Sequence, residues 1–149
     1  MMNIALLHGP NLNMLGRRPS QHYGTLTLPE LEAQVRAWGE ERGMRVGTFQ
    51  TNFEGAFLEH VHGLAGAVDG AIVNPGAWTH YQYSIRDALE VMGAPFVEVH
   101  LTNVHAREPF RHRSLLADVA VGVLGGFGPI GYELALRGLV EHLRREEER

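Results

Sequence analysis

Glu98, His100, His105, Arg107, Glu108 and Arg111 crowd into one short stretch of the chain. The stretch follows Ala94-Pro95-Phe96-Val97, an apolar run that reads as a buried strand. Two carboxylates, two imidazoles and two guanidiniums therefore gather where a strand gives way to a loop. In an open α/β sheet, ligands bind at the carboxyl ends of strands. Glu98 and His100 are two apart, so on a strand they share a face. A carboxylate beside an imidazole fixes its tautomer and favours its protonated form, which suits a general acid. The bland alternative for this stretch, taken alone, is a solvated polar loop.

Two absences narrow the chemistry. The 149 residues contain no cysteine, which removes disulfides, thiolate nucleophiles and cysteine-based metal sites. They contain no lysine either: all 13 basic residues are arginine. No side chain can form a Schiff base, and there is no P-loop lysine. Hydrophobic content of 44% and charge of 20% are ordinary for a globular protein, and one domain over residues 1–149 is expected. A net charge of −4 favours neither nucleic acid nor an anionic membrane. No stretch reads as a membrane span or leader peptide, so a cytoplasmic protein is expected.

The elements that must position these residues alternate. Strands are predicted near Asn3–Leu7, Arg45–Gln50, Ala71–Asn74, Phe96–His100 and Val119–Leu124. Helices are predicted near Leu28–Arg42, Glu54–Val68, His80–Met92 and Gly131–Arg145. Thr27 is placed to cap the first helix, with Glu30 completing a capping box and Gly43 past its end. Strands separated by helices imply a parallel sheet covered on both faces. Five strands in this length fit an α/β flavodoxin-like three-layer sandwich of order 2-1-3-4-5. Strands one, three and four then lie side by side, and the loops starting at His8, Asn74 and His100 emerge at one edge.

Each loop carries usable groups. The first, His8 to Gly24, is long for a β-to-α connection, and Gly16 and Gly24 bracket its centre as hinges. Asn11 offers both donors and an acceptor. Arg18 and Tyr23 on this loop suggest an activated phenol. A cation ~4 Å away, at an effective dielectric near ~20, is worth ~4 kcal/mol or ~3 pKa units. The third-strand loop brings Asn74, Thr79 as a cap for the third helix, and His80. Backbone amides of Leu101 and Thr102 are placed to hold an anion.

Other patterns carry less. Gly126-Phe127-Gly128-Pro129-Ile130-Gly131 matches GxGxxG, but the chain continues into a helix where an acidic residue should end a second strand. His60 and His62 are two apart on a helix and do not face each other, and the nine histidines form no ligand-spaced cluster, so no metal is expected. None of the three serines lies in GxSxG. Trp38, Phe57 and Leu136 read as core.

Taken in order, the loops closely resemble the type II 3-dehydroquinate dehydratases. The resemblance lies in Gly9-Pro10-Asn11-Leu12-Asn13, Leu15-Gly16, Arg18, Tyr23-Gly24, Gln50-Thr51-Asn52 and Glu54-Gly55. It continues through Asn74-Pro75-Gly76-Ala77, Thr79-His80, Arg86-Asp87-Ala88, Glu98-Val99-His100, the run Asn103 to Glu108, and Gly131-Tyr132. Each motif is weak alone; the ordered set, spanning nearly the whole chain, is specific. One departure is Pro19 directly after Arg18, where the family has Glu then Pro.

The resemblance implies a homododecamer built from trimers, no cofactor, and anti loss of water from 3-dehydroquinate through an enolate to 3-dehydroshikimate. It implies Tyr23 as base activated by Arg18, His100 as acid oriented by Glu98, and Asn11 holding a water on the enolate. It places the substrate carboxylate on Asn74 and the Leu101 and Thr102 amides, and ring hydroxyls on His80 and Arg111. Arg107 is implied on a closing lid and Asp87 near a neighbouring subunit's site. The competing class is a non-catalytic flavodoxin-like module for a phosphate or nucleotide, or a receiver domain. Strand one ending in Leu7-His8 and the missing lysine argue against the receiver.

Overall fold

The computed structural model of the chain describes residues 1–17 and 25–149. Strands β1 (Met2–His8), β2 (Met44–Gln50), β3 (Gly70–Asn74), β4 (Phe96–His100) and β5 (Gly122–Gly125) form one sheet of order β2-β1-β3-β4-β5. Every pairing is parallel. The helices are α1 (Leu28–Glu40), α2 (Glu54–Gly63), α3 (Tyr83–Met92) and α4 (Ile130–Glu147). This is the flavodoxin-like α/β arrangement expected from the alternation of elements.

Strand periodicity divides the core in two. On β1, Ile4 and Leu6 join Ile72, Val97 and Val99 beneath Leu31 and Val35 of α1 and Tyr132, Ala135 and Leu136 of α4. The alternate residues Ala5 and Leu7 join Ala71, Val73 and Phe96 beneath Phe57 and Val61 of α2 and Ile85 and Leu89 of α3. With both faces covered, the central strands are apolar at nearly every position until their last residues. Those last residues, His8, Asn74 and His100, are polar and buried.

Local signals set the helix ends. The Thr27 hydroxyl accepts the Glu30 N–H at 3.4 Å and donates to its carboxylate at 2.8 Å, so the capping box forms. Gly43 takes the left-handed conformation (φ 73°) that closes the turn after α1. Three boundaries differ from expectation. α2 stops at Gly63, because Leu64, Ala65 and Ala67 close successive three-residue turns and Gly66 adopts φ 75°. The third helix begins at Tyr83; Gly76–His80 is instead a separate 3₁₀ turn, and Gln82 breaks the path with an extended backbone. β5 begins at Gly122 because the Val119 and Ala120 N–H groups turn back onto the Leu116 carbonyl.

Candidate active site

The register pairs His8 of β1 with Asn74 of β3, so the two strands end level. The loops leaving β1, β3 and β4 surround a cleft there. Pro10, Asn11 and Leu12 line it from the first loop, Asn74, Gly76, Ala77 and His80 from the second. His100, Leu101, Thr102, Val104, Arg107 and Arg111 line it from the third. The first two loops touch through backbone. Gly9 donates to the Asn74 carbonyl at 2.9 Å, and a Cβ on Gly9 would lie 2.3 Å from the Pro75 carbonyl oxygen, so only glycine fits.

Asn11, just beyond, has φ 70° and is the one non-glycine residue with positive φ among the described residues. A left-handed residue held at a cleft marks a position whose surroundings over-determine it. Its N–H donates to the Asn52 side chain at 2.9 Å, and Gln50 donates to both the Gly9 carbonyl and Asn52 at 3.1 Å.

Glu98 lies beneath the cleft with no exposed surface. Its Oε2 accepts from His100 Nε2 at 2.5 Å and from the Thr79 hydroxyl at 2.7 Å. Its Oε1 accepts from the Ser114 hydroxyl at 2.6 Å. Burial pushes the Glu98 carboxyl up, but the bonds and charge from His100, with those from Ser114 and Thr79, outweigh it and hold the group below its ordinary range. Ser114 Oγ itself accepts the Leu116 and Ala117 N–H groups at 3.0 and 3.1 Å, which leaves its own proton for Glu98. A fully buried carboxylate with every oxygen occupied is an ionised anchor. It fixes His100 as an Nε2–H donor and leaves Nδ1 outside the pair.

His80 faces His100 across the cleft, their rings near parallel with centroids 6.4 Å apart. His80 Nδ1 donates to the Arg113 carbonyl at 2.7 Å. Burial lowers its pKa, the Arg113 carbonyl opposes, and the charges of His100 and Arg111 add to the lowering. The neutral ring thus has its protonated nitrogen on Arg113. Arg111 pairs with Glu108 at 3.1 Å and lies over the Phe110 ring, 4.6 Å from its centroid. Arg107 Nη1 donates to the Thr102 hydroxyl at 3.4 Å.

Asn11, Asn74, His80, His100, Leu101, Thr102, Arg107 and Arg111 thus line one cleft, with Glu98 directly below. Arg18 and Tyr23 lie outside the described residues. Asp87 lies on α3 in a different groove, with Tyr83, Arg86, Arg113 and Asp118. Thr79, expected to cap the third helix, instead spends its hydroxyl on Glu98. Glycines of the GxGxxG stretch support the third loop: Gly128 donates to the Leu101 carbonyl at 3.0 Å, and Gly126 (φ 95°) packs against Asn103.

Three partners escaped the sequence reading. Ser114 sits in no motif. His8 and Tyr132 are both fully buried, and the Tyr132 hydroxyl lies 2.9 Å from His8 Nε2 and 2.9 Å from Asn74 Nδ2. Only the Gly131-Tyr132 resemblance pointed there, without a role. Among the described residues no group of three or more His, Cys, Asp or Glu side chains could hold a metal ion. Among them too, no helix is long and apolar enough to cross a membrane.

A family profile described as Dehydroquinase class II matches residues 2–140. The chain is 51% identical over 146 residues to a 3-dehydroquinate dehydratase of Synechococcus sp. (strain WH7803), covering 98% of this chain and 99% of that one. It is 49% identical over 144 residues to a 3-dehydroquinate dehydratase of Desulforudis audaxviator, covering 97% and 96%. In structure it matches the type II dehydroquinase of Propionibacterium acnes with a TM-score of 0.90 at 42% identity, covering 95% and 97% of the two chains. With the profile spanning nearly its full length and relatives at half identity end to end, the chain belongs to the class II dehydroquinase family.

Proposed function

We propose that this chain catalyses the reversible dehydration of 3-dehydroquinate to 3-dehydroshikimate. The observation that carries the reading is the Glu98–His100 pair: a buried, fully hydrogen-bonded carboxylate holding an imidazole at the cleft wall. The substrate is a β-hydroxy ketone. Tyr23, with Arg18 lowering its pKa, takes the proton from the carbon next to the ketone, and the electron pair moves onto the carbonyl oxygen as an enolate. A water held by Asn11 stabilises that oxygen. When the enolate collapses, the C–O bond to the β-hydroxyl breaks and His100, as imidazolium with Nε2–H kept on Glu98, gives its Nδ1 proton to the departing oxygen, so water leaves. Base and acid on separate loops address opposite ring faces, which gives anti elimination.

Asn74 and the amides of Leu101 and Thr102 bind the substrate carboxylate; His80 and Arg111 meet the ring hydroxyls. Arg107 closes over the substrate from the third loop. The reaction needs no cofactor. Asp87, in a groove apart from the cleft, faces the site of a neighbouring copy in a dodecamer of trimers. The enzyme works in the cytoplasm, in the shikimate route to aromatic amino acids. The test is growth of conjugated-enone absorbance from 3-dehydroquinate with chelator present. A folded protein that produces no enone, or one that stops when chelated, refutes the reading.

A further inference from the structure

We propose that Tyr132 and His8 are positioning residues: a buried one-way donor chain, Asn74 to Tyr132 to His8, sets the Asn74 amide so that it turns an N–H to the cleft. Nothing in the dehydration itself uses His8 or Tyr132, and neither has any exposed surface.

The geometry fixes each link. His8 and Asn74 are paired across β1 and β3, so both side chains project to the same sheet face, under α4. Tyr132, in the first turn of α4, places its hydroxyl 2.9 Å from both. Asn74 Oδ1 accepts the Gly76 N–H at 3.2 Å, which identifies the other arm of the amide as nitrogen. One of its two N–H bonds goes to Tyr132, and among the described residues the second has no partner, so it is left for a ligand. The Tyr132 hydroxyl already accepts from Asn74. Among the described residues its own proton has one acceptor within reach, His8 Nε2. His8 then carries its proton on Nδ1, which is buried and has no hydrogen-bond partner among the described residues. An unpaired buried N–H is costly, of the order of 1–3 kcal/mol in general. It is tolerated here as the terminus of the chain.

Burial also keeps the chain from changing direction. It lowers the His8 pKa to about 3 and raises that of Tyr132, so both stay neutral at working pH. A protonated His8 would turn its Nε2–H on Tyr132, leaving the phenol proton without an acceptor. The ligand group that meets this N–H is therefore an acceptor. A substrate carboxylate fits, and this last step rests on the dehydratase reading.

Two measurements on the full-length protein decide the matter. The first needs no activity: ¹⁵N–¹H spectra of the free enzyme should show His8 as the neutral Nδ1–H tautomer from pH 5 to 9. An Nε2–H tautomer or a charged ring overturns the proposal. The second is a cycle on KM for 3-dehydroquinate. Tyr132→Phe should raise KM about tenfold, equivalent to ~1.4 kcal/mol, with kcat changed less than about twofold. In an Asn74→Ala background the same substitution should change KM by less than about twofold. His8→Leu should mimic Tyr132→Phe, and His8→Gln, which returns an acceptor oxygen, should restore KM. Equal effects of Tyr132→Phe in both backgrounds would mean a purely structural role and overturn the proposal. Loss of wild-type turnover would instead refute the dehydratase reading, while the tautomer still decides the chain.

Discussion

Replacing Ser114 by alanine removes one hydroxyl from a carboxylate with no exposed surface, and the consequence depends on pH. Glu98 Oε1 has that hydroxyl as its hydrogen-bond donor, at 2.6 Å. A hydrogen bond to a buried charge is worth about 1.5–3 kcal/mol, and Glu98 has no surface open to bulk solvent. For a chain of this size that is a fall in Tm of roughly 3–12 °C at neutral pH. Ser114 Oγ also holds the Leu116 and Ala117 N–H groups, and loss of that turn is independent of pH. The two contributions separate by titration. The Glu98 pKa in the folded protein is held below its ordinary value, so its stabilisation is complete above the unfolded-state pKa and fades as pH falls through the folded one. Ser114→Ala raises the folded value, so its penalty should be full at pH 6–8 and shrink steadily below about pH 4.5. Chemical denaturation of both proteins from pH 3.5 to 8, with kcat measured in parallel, reads this directly. The variant should lose kcat about tenfold at neutral pH, because His100 loses a fixed anchor. A penalty that stays constant across the whole range would show that Ser114 supports the turn alone and that its bond to Glu98 adds nothing.

Tyr23→Phe should lower kcat at least a hundredfold, as expected for loss of a general base; near-normal turnover in steady-state assays removes Tyr23 from that role. His100→Ala should impair dehydration more than exchange of the substrate's α-hydrogen with solvent, and equal losses in both would refute separate acid and base roles. Gly9→Ala should lower Tm by several degrees and abolish activity, since its Cβ meets the Pro75 carbonyl at 2.3 Å; an active, equally stable variant in a melting assay would contradict the close approach. Borohydride added with substrate should leave activity intact and add no substrate mass to the protein, because no side-chain amine exists; a mass adduct with matching inactivation would refute the enolate route.

Sequence patterns exposed whatever is local. The Glu98–His100 pair followed from period two on a short strand, and β4 runs over the residues predicted, Phe96–His100. The sheet order followed from alternating strands and helices. What stayed hidden was long-range. Tyr132 and His8 are 124 positions apart, and neither has a neighbour in sequence that betrays the contact. Ser114 reaches Glu98 across 16 positions with no periodic pattern to link them. The misplaced start of the third helix has a physical cause of the same kind: Thr79 has the side chain of a cap, but a buried carboxylate claims its hydroxyl. Likewise Val119 and Ala120 are apolar enough for a strand, yet the Leu116 carbonyl closes them into a turn before β5. Tyr23 and Arg18, the pair most responsible for the proposed proton abstraction, lie outside the described residues; a phenol and a guanidinium on one glycine-bracketed loop, together with the family resemblance, point to them.

The segment between Leu101 and Leu115 is clamped at both margins by bonds that do not involve its interior. Gly128 holds the Leu101 carbonyl, while Leu115 donates to the Thr79 carbonyl at 2.7 Å and Ser114 holds Glu98. Between those clamps most side chains are exposed or half-exposed. Such a segment presents its side chains on a fixed frame. Its exposed positions, such as Phe110 and His112, can change while the anchor beneath His100 and the ends of the three central strands stay unaltered. Selection can thus retune what the cleft admits without touching the group that delivers the proton.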